Sequence, residues 1–208
     1  MPETDFFPLP DSEALIDHFA LALEAEGRIV LPACLPAELC AALRGRAEAV
    51  EGGLKRAGIG RGRSHAVNES VRTDAIRWLG QDDPAEAAYL AWMERLRRGL
   101  NRRLFLGLFD YEAHFAVYEP GAYYRKHLDA FQGGGNRVLT TVLYLNPQWT
   151  PDDGGELRVY GPDDGFLESV APDFGKMVVF LSANHPHEVV EARRKRYSIA
   201  GWFRVNAG

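Results

Sequence analysis

Apolar positions recur at helical spacing in the first half of the chain and alternate at strand spacing through the second. Leu15, Ile16, Phe19 and Leu23 form a stripe that predicts a helix from a cap at Asp11 to about Glu26, with Gly27 as its stop. Arg28 to Pro32 reads as a short strand. Pro36 then opens a second helix carrying Leu39, Leu43, Ala47 and Val50. Val71 to Leu79 alternates and reads as a strand, and Asp83-Pro84 opens a third helix with Tyr89, Met93, Leu96 and Leu100 on one face. From Tyr111 onward β-branched and aromatic residues dominate between turn signals, which predicts strands near 112–118, 122–128, 137–146, 156–160, 166–170, 176–181, 187–191 and 196–205. Eight strands without intervening helices imply a double-sheet jelly roll. The expected fold class is mainly β with flanking helices (α+β), a double-stranded β-helix core buttressed by N-terminal helices.

At 208 residues the chain is expected to form one domain. Residues 1–110 would supply helical support, two sheet-extending strands and a mobile basic loop at 51–70; residues 111–208 would form the jelly-roll core. A formal charge of −5 argues against a nucleic-acid partner. No stretch approaches the length of a membrane span, and the acidic Met1-Pro-Glu-Thr-Asp start lacks a hydrophobic signal region, so a cytoplasmic monomer is expected. Cys34 and Cys40 read as buried small apolar residues, not a disulfide.

The 51–70 loop holds Gly52, Gly53, Gly58, Gly60 and Gly62 among Lys55, Arg56, Arg61, Arg63 and His65. Gly58-x-Gly60-x-x-Arg63 lacks the third glycine and following helix of a phosphate loop. A basic lid over an acidic stretch of substrate is the functional reading. Gly133-Gly134-Gly135 reads as a turn.

The chemistry concentrates after Tyr123. A strand points residues i and i+2 to one face, so His127 and Asp129 can present an imidazole and a carboxylate to a single point. A histidine from His185-Pro186-His187 would complete two histidines and a carboxylate, the facial triad of non-haem Fe(II) oxygenases. Spacing does not choose between His185 and His187. Arg196, Ser198, Ala200 and Trp202 share one strand face, and a buried guanidinium there fits a dicarboxylate co-substrate. On the strand before, Thr140, Val142 and Tyr144 face inward while Leu139, Thr141, Leu143 and Leu145 face the helices. His65 and His114 lack a partner motif and read as structural or surface residues.

From about Val71 to Arg204 the chain resembles the Fe(II)/2-oxoglutarate-dependent prolyl 4-hydroxylases, most closely the hypoxia-inducible-factor prolyl hydroxylases and their bacterial relatives. The resemblance rests on Val71-Arg-Thr-Asp74-x-Ile-x-Trp78, Tyr118-x-Pro-Gly121, His127-x-Asp129, Arg137-x-x-Thr140-x-x-x-Tyr144-Leu-Asn146, Trp149, Gly154-Gly155-x-Leu157-Arg158, Pro186-His187-Glu188-Val189 and Arg196 to Trp202. It selects His187 as the third ligand, nine residues before Arg196, and leaves His185 facing solvent.

The resemblance implies Fe(II) on His127, Asp129 and His187, with O2 as oxidant, 2-oxoglutarate as co-substrate and ascorbate as a reductant. It places Arg196, Tyr144, Tyr118, Thr140, Ser198, Trp202 and Leu157 around 2-oxoglutarate, and Arg72, Asp74 and Arg137 at the substrate rim, with an Asp74–Arg137 ion pair. The implied reaction is hydroxylation of a prolyl residue in a protein, elongation factor Tu being the candidate partner, with release of succinate and CO2. A free amino acid or small peptide is the alternative substrate. A non-catalytic ligand-binding or oxygen-sensing barrel is the alternative class, which the complete triad with Arg196 disfavours.

Overall fold

The computed structural model describes residues 13–56, 71–130 and 135–206. Its elements run α1 (Glu13–Glu26), β1 (Arg28–Leu31), α2 (Ala37–Ala49), β2 (Lys55–Arg56), β3 (Ala75–Trp78), α3 (Pro84–Leu104), β4 (Asp110–Tyr118), β5 (Tyr124–His127), β6 (Arg137–Tyr144), β7 (Leu157–Tyr160), β8 (Phe166–Val170), β9 (Met177–Leu181), β10 (His187–Val189) and β11 (Arg196–Arg204). All eight strands expected after Tyr111 are present. The Asp11 cap, most of the 51–70 loop including His65, and part of the glycine turn lie outside the described residues.

The helices form where the apolar stripes are. Asp83 caps α3 by accepting from the backbone N–H groups of Ala85 and Glu86, with Pro84 in the first turn, where its missing N–H costs nothing. Tyr89, Trp92, Met93, Leu96 and Leu100 are buried on one face, beside Ile16, Phe19 and Leu23 of α1 and Leu39, Leu43 and Ala47 of α2. Cys34 and Cys40 are free and buried, and burial pushes the Cys34 thiol up to about 12.

The helices cover one side of a seven-stranded sheet ordered β1-β9-β6-β11-β4-β3-β2. A four-stranded sheet, β5-β10-β7-β8, packs on its other side. Every pairing between these strands is antiparallel, as a jelly roll requires. On β6, Leu139 and Leu143 join the helix-side core while Val142 and Tyr144 join the cluster between the sheets. Two faces of one strand thus separate support from site.

The strand expected over Val71 to Leu79 is shorter. Only Ala75–Trp78 pairs with β4; Arg72 bridges instead to Tyr124, and the Arg125 N–H donates to the Val71 carbonyl at 2.9 Å. This segment therefore crosses from the large sheet to the edge of the small one and forms part of the cavity wall. Glu86 fixes the crossing from behind. Its buried carboxylate accepts from Arg46 at 2.7 Å, from Arg77 at 2.9 Å and from the Gly80 N–H at 2.7 Å, tying α2, α3 and β3 together. Strand β2 is an addition, with Lys55 and Arg56 extending the large sheet beyond β3 where a loop was expected.

Candidate active site

His127 and His187 are direct partners across the β5–β10 pairing, and Asp129 follows two residues past the end of β5. Each imidazole is oriented by its own backbone: the Nδ1–H of His127 donates to the Arg125 carbonyl at 2.8 Å, and that of His187 to the His185 carbonyl at 3.0 Å. That leaves both Nε2 lone pairs aimed at Asp129, 3.6 Å from Oδ1 and 3.5 Å from Oδ2. All three donor atoms lie within 4.8 Å of one another. Two imidazole nitrogens and one carboxylate oxygen on one side of a point suit Fe(II) with open positions.

Protonation states agree with this. Burial opposes ionisation of Asp129, but His187 and His127 beside it hold its carboxyl below the usual carboxylate range. Burial and the neighbouring His127 push His187 down to about 4, keeping it in the neutral, ligating form. Thr140 donates to Asp129 Oδ2 at 2.8 Å and is itself 2.9 Å from Ser182 Oγ, so its hydroxyl orients the carboxylate. His185 is not solvent-facing. It precedes β10, so strand alternation does not govern it; its ring is buried, 3.1 Å from the Tyr160 carbonyl and edge-on to Phe180.

A cavity of about 480 Å³ lies between the sheets, lined by the triad and by nine of the ten other residues the resemblance assigned; the tenth, Tyr144, is buried in the cluster between the sheets. Arg196 is 1% exposed and has no carboxylate within 4.0 Å among the described residues. Its Nε donates to the Gly155 carbonyl at 2.8 Å and its Nη1 to Ser198 Oγ at 3.2 Å, while the rings of Tyr118 and Tyr144 lie 4.9 and 5.0 Å away. The Tyr144 hydroxyl is buried and makes no hydrogen bond among the described residues. A buried cation without a counter-ion, beside an unused hydroxyl, is matched to a carboxylate. Asp129 hangs from Thr140, which pairs with Trp202 six residues along β11 from Arg196, so metal end and cation end are separated along the barrel. Gly155 lets the cation in: at φ +70° it favours glycine, and a Cβ there would stand 3.0 Å from Arg196 Cδ.

The rim differs from expectation. Asp74 pairs with Arg72, not Arg137. Arg72, two residues away, clasps it with Nε at 2.7 Å and Nη2 at 2.6 Å. Arg137 turns to Glu112 of β4 at 3.1 Å and lies 3.5 Å over the Trp202 ring. His114 was passed over and is buried in the cavity wall between Trp78 and Trp202. Its place two and four residues before Ala116 and Tyr118 on β4 was the available signal.

Comparison with known proteins agrees with this geometry. The family model of the 2OG-Fe(II) oxygenase superfamily matches residues 113–204. The chain is 41% identical to a Pseudomonas putida prolyl-4-hydroxylase, with a TM-score of 0.82, covering 92% of this chain and 99% of that one. It is 25% identical to a Trichoplax adhaerens prolyl hydroxylase solved with a hypoxia inducible factor oxygen degradation domain peptide fragment, with a TM-score of 0.81 and coverage of 92% and 90%. Egl nine homolog 1 of Homo sapiens is 30% identical over 146 residues, 65% of this chain and 34% of that protein. The chain thus spans about a third of the length of that human relative. It belongs to the 2OG-Fe(II) oxygenase superfamily, among the prolyl hydroxylases, a family that uses Fe(II), 2-oxoglutarate and O2.

Proposed function

We propose that the protein is a cytoplasmic dioxygenase that hydroxylates a prolyl residue within a protein substrate. The observation that carries this reading is the pairing of the His127–Asp129–His187 triad with a buried, counter-ion-free Arg196 in one cavity. Bound Fe(II) with 2-oxoglutarate and O2 would supply the oxidant, one oxygen atom entering a substrate C–H bond and the other succinate, with loss of CO2. The protein's own part is to hold and aim. Arg196 and Tyr144 grip the distal carboxylate; Tyr118, Leu157, Ser198 and Trp202 complete the walls; Thr140 keeps Asp129 turned to the metal.

The peptide-bound Trichoplax adhaerens relative supports a peptidyl substrate. The resemblance to bacterial prolyl hydroxylases makes elongation factor Tu the first target to test. The experiment is mass spectrometry of a lysate incubated with iron, 2-oxoglutarate and either wild type or His127→Ala. We expect one oxygen gained on a proline in the wild-type arm alone. Consumption of 2-oxoglutarate without a modified proline would move the substrate to small molecules.

A further inference from the structure

The distal carboxylate that Arg196 would hold accounts for the unused Tyr144 hydroxyl. It does not account for His114. This residue sits on β4 between Trp78 of β3 and Ala200 of β11, on the cavity side with Ala116 and Tyr118. Its Nδ1–H donates to the Phe115 carbonyl at 3.1 Å, and that is the ring's only hydrogen bond among the described residues. Nε2 is left a bare acceptor on a side chain 2% exposed.

The ring is held in place. Trp78 meets it edge-on with centroids 5.2 Å apart, and Trp202 lies 5.4 Å away at 55°. Trp78 is 50% exposed at the mouth, while Trp202 pairs with Thr140, which holds Asp129. His114 therefore stands in the cavity wall between the exposed Trp78 and the strand pair that holds Asp129. Burial lowers its pKa to about 4, so at neutral pH it accepts and does not donate along the cavity.

Once a substrate displaces water from the cavity, an acceptor in its wall calls for a donor. Under the prolyl reading, on which this step rests, the choice of donor is narrow. A proline inside a chain has no N–H of its own, and its carbonyls only accept. The nearest backbone donor is the N–H of the residue that follows. We propose that His114 is a specificity-determining residue whose Nε2 accepts a hydrogen bond from the backbone N–H after the target proline. The site then takes proline within a chain and discriminates against free proline and against proline at a C-terminus.

The test uses a synthetic peptide around the proline that gains oxygen in the lysate, and its depsipeptide twin in which the following N–H is replaced by an ester oxygen. Wild type should show kcat/KM about tenfold lower for the ester, the effect of one hydrogen bond to a buried acceptor. His114→Leu should be slow on both and lose the preference; His114→Gln, which keeps an acceptor near the Nε2 position, should retain it. Calorimetry of 2-oxoglutarate on Mn(II)-loaded protein reports whether each variant keeps an intact site. Should His114→Leu fail to fold, the wild-type ratio and His114→Gln decide. Equal rates on amide and ester in wild type, or an unchanged preference in His114→Leu, would overturn the assignment while leaving the prolyl reading intact. No modified proline in the wild-type lysate would remove both.

Discussion

Arg72 clasps Asp74 with both arms, Nε to Oδ1 at 2.7 Å and Nη2 to Oδ2 at 2.6 Å, while its guanidinium lies 4.3 Å from the centre of the Tyr124 ring. The Asp74 side chain is fully buried and that of Arg72 is 11% exposed. The pair thus fixes the segment that crosses from β3 to the edge of β5.

Removing one member of a buried pair leaves the other charge uncompensated. Asp74→Ala should lower stability by about 3 kcal/mol. In urea melts of a double-mutant cycle, Arg72 and Asp74 should couple by about 1 kcal/mol or more, whereas Asp74 and Arg137 should add within about 0.5 kcal/mol. Strong coupling between Asp74 and Arg137 would restore the ion pair that the motif suggested.

Tyr144 makes a sharper distinction, because its hydroxyl is buried and makes no hydrogen bond among the described residues. Tyr144→Phe should therefore leave the protein at least as stable without 2-oxoglutarate, since a buried unsatisfied group is removed. The same change should weaken 2-oxoglutarate about tenfold, the loss of a hydrogen bond to a charged acceptor. Melting curves recorded with and without 2-oxoglutarate check both signs. A destabilised variant with unchanged affinity would assign the hydroxyl a purely structural role.

The parts legible in the sequence were those set by local periodicity. Thr140 and Tyr144 alternate with Leu139 and Leu143, and that two-residue period alone separates the cavity face of β6 from its helix face. His127 was legible from its strand, while Asp129, two residues past the end of β5, was legible from its His-x-Asp spacing. Where the period stops, the reading failed: His185 precedes β10, and its burial under Gly27, whose Cβ would stand 3.1 Å from His185 Nε2, depends on a contact from the distant β1 end. The Asp74 partner was a choice among nearby arginines that only the crossing of residues 71–74 decides. Lys55–Arg56 carries no strand signal because both residues are exposed and no apolar position alternates between them.

His114 gives the site a pH signature that can be read without turnover. Burial pushes its pKa from 6.5 down to about 4; Asp74 opposes that shift, while Arg72 and Arg137 add to it and the Phe115 carbonyl accepts from Nδ1. In the unfolded chain the imidazole protonates near its ordinary value, so between 6.5 and about 4 the unfolded state binds more protons. Stability from this residue is fully present above that window and is lost as pH falls through it, by about 3 kcal/mol in all. His187 contributes in the same direction. It does so equally in wild type and in His114→Gln, so their difference isolates His114. Urea midpoints at about pH 7.5 and 5 should show wild type losing about 2 kcal/mol more than His114→Gln on acidification. Parallel losses in the two proteins would mean that His114 is hydrated and protonates near its ordinary pKa, which would also remove the bare acceptor from the cavity wall.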